Sequence, residues 1–358
     1  MSGGVDSAVA AALLKKDGFE VIGVTMCLNI SGRDKGRPSC CGIEGIEDAK
    51  RVAGELDIPH YVLNFKKALE QEIIRDFCWE YLKGRTPNPC IRCNRYLKFG
   101  ALFKKSRELD ADYLATGHYA KVIYEKKSSR FLLKKGKDNK KDQSYFLYSV
   151  DKKVLPFILM PLGDFTKDRI REIAQDFKLP IADKPASQEV CFIDTDYRQF
   201  LKEQAKKFYG SRILKTMQPG KIKDKKGKVI GEHKGVAFYT IGQREGLGMA
   251  LGYPAYVVKI DGRNNSLTIS REEDIFSKGL IARKTNFLGM DFPAKSIEAK
   301  AKIRYNHQEV NSRLIPLNKN TLKVIFFHPQ RAVTPGQAVV FYKNDTVLGG
   351  GIIEKGID

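Results

Sequence analysis

The feature that most constrains this chain is an apolar strand set directly behind a glycine-serine loop and a helix. "FEVIGVTM" (residues 19–26) is an almost unbroken apolar run, the pattern of a strand covered on both faces in a parallel sheet. Ahead of it, residues 7–16 are rich in alanine and leucine and stop at Asp17-Gly18, as a helix does at its C-cap. Behind it come the polar loop "NISGRDKGRPSCCG", an amphipathic stretch over residues 43–57 and a second strand in "PHYVLNF". Helical stretches flank "TPNPCIRCN" (residues 86–94), and "DYLATGHYA" (residues 112–120) reads as a strand running into a loop. Strand and helix alternating at this spacing predict an α/β fold with a doubly wound parallel sheet.

After about residue 205 the texture changes to short, glycine-punctuated runs. "AYVVKIDGRNNSLTIS" reads as a hairpin, with Asp261-Gly262 and Asn264-Asn265 at the bend. From Lys284 onward alternating strands dominate, ending in "QAVVFYKNDTVLGGGII", which predicts a small antiparallel barrel. The expected layout is an α/β domain over 1–204, a small β-rich domain over 205–283 and a C-terminal barrel over 284–358. A chain of 358 residues is long enough for such a division.

Lysine and arginine outnumber acidic residues, 63 to 42, a net charge of +21. Such an excess favours a polyanionic partner through counterion release, against the plainer reading of a lysine-rich soluble surface. The apolar runs at residues 8–14 and 155–162 are too short or too proline-broken to span a bilayer. Seven cysteines without a signal segment point to a reducing cytoplasm, where cysteine is a thiol, ligand or catalyst rather than a staple.

"SGGVDS" (Ser2, Gly3, Gly4, Val5, Asp6 and Ser7) opens straight into the first helix. Two glycines let the backbone turn tightly and aim N–H groups at an anion, and the helix start adds partial positive charge. It lacks the glycine–lysine pair of a Walker A loop. It resembles instead the pyrophosphate loop of the PP-loop ATP pyrophosphatases, which adenylate a carbonyl oxygen to make it a leaving group. A loop of this kind normally follows a buried strand, yet only Met1 precedes Ser2 here. A sheet lacking its first strand is therefore expected, with a late start the preferred explanation and weak ATP binding its consequence.

Cys90 and Cys93 lie three positions apart in "TPNPCIRCN", and Cys191 lies in "DKPASQEVCFID". With these the resemblance becomes close. "SGGVDS", "TPNPCIRCN", "ATGHYA", "KDQSYFL", "GEHKGVAFYTIGQREGLG", "KIRYNHQ", "TPGQAVVFY" and "LGGGII" occur in the order seen in the tRNA-uridine 2-sulfurtransferases, or 2-thiouridylases. That resemblance implies ATP-dependent adenylation of O2 of the wobble uridine, with Mg2+, and replacement of the oxygen by sulfur. It makes Cys191 the carrier of a persulfide and Cys93 its partner thiol, chemistry that suits a strong sulfur nucleophile and a good leaving group. Cys90 departs from the family, where many relatives carry aspartate. It is either a thiolate base in a persulfide cycle or, with Cys93 and Cys191, one of three ligands to a [4Fe–4S] cluster. A structural zinc would need a fourth ligand, which Cys40 or Cys41 would have to supply. Cys40-Cys41 otherwise reads as a loop pair, and Cys27 and Cys78 as core residues.

The resemblance places Met26 and Gly117 in the adenosine pocket. It places Asn88, Pro89 and Cys90 at the flipped target base, with His118 beside it. Lys141, Asp142 and Gln143 match a tRNA-contacting element, and Arg304, Tyr305 and Gln337 match anticodon contacts. The implied partners are tRNA, through its anticodon loop, and a sulfur donor, either a cysteine desulfurase or a sulfur-relay protein. The chain is expected to be a monomer. The competing readings are another PP-loop RNA enzyme, of the 4-thiouridine or lysidine synthetase type, and a non-catalytic RNA-binding relative.

Overall fold

The computed structural model describes residues 1–28, 43–185, 190–193, 196–210, 215–249 and 251–358. Cys40 and Cys41 lie outside the described residues. The chain forms two compact units. One comprises Met1–Glu72, Cys90–Asp196 and Asn344–Val347, the other Ile73–Pro89, Tyr197–Lys343 and Leu348–Asp358.

In the first unit, helix α1 (Val5–Lys16) buries Val5, Ala8–Ala12 and Leu14. An apolar surface on all sides marks a helix enclosed by its domain, and α1 packs against the helix Lys167–Asp176. Val9, fully buried, contributes about 1.5–3 kcal/mol by leaving water. The expected C-cap is present: Gly18 takes φ +87°, Gly18 N donates to Lys15 O and Phe19 N to Leu14 O, each at 3.1 Å. This paired motif satisfies carbonyls that the last turn leaves open.

Strand β1 spans Gly23–Cys27 and pairs in parallel with β2, His60–Asn64. Helix α2 (Ile43–Glu55) connects them. The apolar run was expected to be strand from Phe19, but β2 offers only five partners, and Phe19 and Ile22 are instead 43% and 37% exposed. A second parallel pair joins β3 (Leu114–Ala115) to β6 (Ile158–Leu159). Among the described residues the two pairs form separate sheets. Met1 lies beside β1: its ammonium group donates to Val24 O, and its carbonyl accepts from Thr25 Oγ1 at 2.8 Å. A hairpin of β4 (Ala120–Glu125) and β5 (Arg130–Lys135) completes the unit's strands.

In the second unit, β7 (Gly220–Lys223), β8 (Val229–His233), β9 (Tyr256–Asp261) and β10 (Ser266–Ser270) form a sheet in the order β8-β7-β10-β9. The expected β9–β10 hairpin is present. Asp261 Oδ1 accepts from Arg263 N and Asn264 N at 3.0 Å each, the side-chain mimicry that favours aspartate in turns. The remaining strands are β11 (Phe276–Phe287), β12 (Ile297–Lys302), β13 (Val310–Asn318), β14 (Thr321–Arg331), β15 (Ala338–Lys343) and β16 (Thr346–Ile357). They run β11-β14-β13-β12-β15-β16, and β16 pairs back onto β11. That pairing closes a six-stranded antiparallel barrel and removes its edges. Leu322, Val324 and Phe326 of β14 alternate inward with Leu280, Phe341 and Ile353 into its core. Strand β11 starts at Phe276, ahead of the boundary drawn at 283/284 from the sequence. No helix among the described residues is long and apolar enough to cross a membrane.

Candidate active site

The phosphate loop closes on itself. Ser7 Oγ accepts from Ser2 N at 3.0 Å, donates to Gly4 O at 3.0 Å and lies 3.2 Å from Ser2 Oγ. Gly3 has φ +71°, and a Cβ there would stand 2.3 Å from the carbonyl oxygen of Gly45 in α2. Gly117 is tied to the same loop, since its Cβ would fall 2.7 Å from the carbonyl carbon of Asp6. Both positions need glycine because backbone meets backbone. The first turn of α1 thus presents N–H groups from a rigid loop, the arrangement that binds anions.

This loop opens on a cavity of about 720 Å³, inside the size range of small-molecule sites. It runs along β1 to the C-terminal ends of β1 and β3, where parallel sheets hold ligands. Of the residues singled out from the sequence, Ser2, Asp6, Ser7, Met26, Gly117, His118 and Gln143 line it. Lys98 and Lys105 also line it and were not anticipated, because isolated lysines in a lysine-rich chain carry no signal of their own.

His118 is buried, 7% exposed. Its Nε2 lies 3.4 Å from Lys98 Nζ and its Nδ1 2.9 Å from Thr116 Oγ1. An ammonium only donates, so Nε2 accepts and Nδ1 carries the proton. Burial, and then the charge of Lys98, hold the imidazole well below its usual pKa, hence neutral.

The cysteines are set apart from this cavity. Cys93 and Cys191 are half-buried, Cys90 is exposed, and none of the three is among the residues lining the cavity. Cys90 and Cys93 sit in the first turns of a helix over 89–108 that is π-helical from Cys93 to Leu102, a geometry frequent at functional sites. Buried Asn94 fastens it by donating from Nδ2 to Phe146 O at 3.1 Å. Ser149 Oγ does likewise to Ile91 O at 3.3 Å. Cys191 follows Val190 in a turn closed by Ile193 N donating to Val190 O at 3.0 Å, and Phe192 beside it is 2% exposed. Cys78, by contrast, is fully buried and its thiol is pushed up to about 12 by burial, which makes it inert at neutral pH.

Among the described residues, no three His, Cys, Asp or Glu groups gather to hold a metal ion. The three thiols proposed from sequence as cluster ligands are therefore not assembled in this structure. Thiolates are the right donors for such a cluster, but these three are not gathered into one group among the described residues.

Several residues expected at RNA are engaged within the chain. Asp142 is 5% exposed, and its carboxylate accepts from Gly136 N, Ser144 N and Ser144 Oγ. Gln143 Oε1 accepts from Tyr119 N at 3.0 Å. Arg304 donates to Ala332 O and, at 2.9 Å, to Thr334 Oγ1. Gln337 Nε2 donates to Thr86 O at 3.2 Å and Pro87 O at 3.3 Å, holding the residues just ahead of Asn88. Lys141 is exposed, and Tyr305, Asn88 and Gln337 are partly so.

An anion-binding loop at a helix start, opening on a ligand-sized cavity between parallel strands, defines a nucleotide-binding α/β domain carrying two β-rich modules. Three family descriptions match in order: a tRNA methyl transferase HUP domain over residues 1–195, a tRNA methyl transferase PRC-barrel domain over 206–271 and an aminomethyltransferase beta-barrel domain over 277–353. The tRNA-specific 2-thiouridylase MnmA of Carboxydothermus hydrogenoformans is 50% identical over 99% of this chain and 96% of its own length. MnmA 1 of Syntrophus aciditrophicus is 51% identical over 100% and 92%, and MnmA of Acetivibrio thermocellus 47% over 99% and 98%. The chain belongs to the tRNA-specific 2-thiouridylase family.

Proposed function

We propose that this chain is an ATP-dependent tRNA sulfurtransferase that replaces O2 of a wobble uridine with sulfur. The observation that carries the reading is that the phosphate loop, its cavity, Cys93 and Cys191 all belong to one compact unit. The HUP-domain description speaks of methyl transfer, whereas full-length relatives are named 2-thiouridylases. Sulfur transfer gives a direct role to a pair of thiols about a hundred residues apart, Cys93 and Cys191, and so favours the relatives' activity.

ATP, with Mg2+, activates the uridine: O2 attacks the α-phosphorus, and pyrophosphate departs. The terminal sulfur of a Cys191 persulfide then attacks C2, and AMP leaves with the former O2. The Cys93 thiolate attacks Cys191 Sγ, so that a Cys93–Cys191 disulfide forms and the thiolated base is released. A cellular dithiol reductant resets the pair. Neutral His118 serves as a hydrogen-bonding wall of the cavity rather than as a cation. The chain acts as a monomer in the cytoplasm, taking sulfur from a donor protein, and its cationic surface holds the tRNA.

The test supplies ATP, a cysteine desulfurase with cysteine, and unmodified tRNA. AMP release accompanied by retarded, thiolated tRNA is expected. AMP release without thiolated RNA would defeat the reading.

A further inference from the structure

Two helices of the second unit, Arg75–Leu82 and Tyr197–Tyr209, pack through aromatic rings and turn cations outward. Between them Phe77 meets Phe200 edge-on with ring centres 6.3 Å apart, and Tyr81 meets Tyr197 at 5.7 Å. This apolar underside fixes the helices against each other and leaves one face of each to solvent. Tyr197 OH donates to Phe238 O at 3.0 Å. Just past the shorter helix, Arg85 donates to Glu80 Oε2 at 2.6 Å, Glu354 Oε2 at 3.1 Å and Ile353 O at 3.2 Å. The pair is thus tied to the rest of its unit.

The outward faces follow from helical spacing. Arg75, Trp79 and Lys83 recur every four residues, as do Arg198, Lys202 and Lys206, and all six are exposed. Residues four apart lie one above another on one side of a helix. Tyr209, three beyond Lys206, falls on that same side and stacks on Trp79 with ring centres 5.2 Å apart. Trp79 is 38% exposed. Lys83 Nζ stands over its ring, 4.6 Å from the centre, and the Arg75 guanidinium lies 5.9 Å from the centre of the Tyr209 ring. Such contacts hold a cation in place without neutralising it. The two helices with Lys83 carry six cations, the five above and Lys207, against Asp76, Glu80 and Glu203. Of these acids, Glu80 is already met by Arg85.

We propose that this face is a docking surface for the sugar-phosphate backbone of an RNA helix. Charge complementarity selects the occupant: cations about 6 Å apart along a helix suit a row of phosphates. Ammonium groups held as point charges carry no pattern that reads a base edge. The indole is already engaged by Tyr209 and Lys83, so the aromatic pair places the charges rather than stacking on bases. Binding here is therefore indifferent to sequence. The inference rests on the tRNA reading above and gives part of the chain's cationic excess a place on the molecule.

The test measures tRNA affinity against salt concentration, and kcat and KM for thiolation, in the wild type, R75Q/K83Q/K202Q/K206Q and W79L. Thermal unfolding and ATP binding confirm that each variant is folded. The four-cation variant should bind tRNA about 10-fold or more weakly at moderate salt, equally for tRNAs of different sequence. Its slope of log affinity against log salt should be shallower by about 2–4. The loss should appear in KM for tRNA rather than in kcat. W79L, which frees Lys83 and Tyr209 but keeps the charges, should cost about 2–3-fold. Wild-type affinity and slope in the four-cation variant would overturn the assignment and leave the sulfur-transfer reading intact. Unchanged tRNA binding with impaired sulfur uptake from a cysteine desulfurase would overturn it too, making the face a protein-docking surface. A greater loss in W79L than in the four-cation variant would mean that the indole meets a base, against a backbone contact. A wild type that neither retains nor thiolates tRNA would overturn both readings.

Discussion

The phosphate loop and the cysteine-bearing segments are built on opposite principles. Around the loop, backbone touches backbone: Gly3 leaves no room beside Gly45, Gly117 none beside Asp6, and the serine hydroxyls close the turn on itself. Around the thiols, the scaffold is fastened one residue away from the sulfur, through Asn94 beside Cys93 and Phe192 beside Cys191, while Cys93 and Cys191 are themselves only half-buried. A site that must present fixed dipoles to a phosphate gains from rigidity. Sulfur carriers that exchange with a donor protein and with each other need access, and a thiol buried like Cys78 would be useless to them. On the proposed reading, the difference means that nucleotide activation would be preorganised by main chain and sulfur delivery left to side chains that are not fully buried.

The sharpest way to break this comparison is to remove the sulfurs. Cys191→Ser and Cys93→Ser should each abolish thiolation while tRNA retention stays near wild type; robust thiolation by either would end the two-thiol scheme. The converse experiment strikes the rigid end. Gly3→Ala puts a side chain at φ +71° and into Gly45, and should cost about 2–4 kcal/mol of stability, with ATP binding weakened. Gly18→Ala, at φ +87° with nothing near its Cβ, should cost only about 1 kcal/mol; equal melting shifts would show that strain, not contact, governs both.

A third test uses acid. His118 is depressed by burial and by Lys98, so between its native pKa and the unfolded value of about 6.5 the unfolded chain binds the proton and the native one does not. Its contribution is full above about pH 6.5 and is lost as the pH falls toward the native value. His118→Gln should flatten the fall in melting temperature between pH 7 and 5, and an unchanged slope would count against a buried neutral imidazole. The smallest effect belongs to Gln337→Ala. Losing its hydrogen bonds to Thr86 O and Pro87 O should cost about 1 kcal/mol. If Gln337 positions the loop, thiolation should slow several-fold with tRNA affinity nearly unchanged; a matching loss of tRNA affinity would assign it to RNA contact instead.

Much of the architecture was legible in the residues. The Asp17-Gly18 stop, the hairpin at Asp261–Asn265 and the barrel's alternating strands follow from local chemistry and a period of two. The turn at the start of α1 was legible from its two glycines, and its reading as a phosphate loop came from its resemblance to the PP-loop ATP pyrophosphatases. Lys167, Tyr119 and Gly45 were not. Lys167 Nζ and Tyr119 OH donate to Asp6 Oδ1 across 161 and 113 positions in sequence, and Gly45 meets Gly3 across 42. A lysine, a tyrosine or a helical glycine at such a distance has no local periodicity to betray it.

What the sequence determined by itself was the set of elements and the chemistry each can offer: an anion-binding turn, thiols, a cationic surface and a closed barrel, all dictated by short-range sterics and by which residues prefer to leave water. Only the tertiary structure decided which partners these groups find within the chain. Asp142, Arg304 and Gln337 carry polar groups suited to RNA, yet each is engaged by backbone or side-chain partners of its own chain. The physical reason is that a buried donor or acceptor must be satisfied by whatever the fold brings within about 3 Å, and that proximity is a property of packing, not of composition.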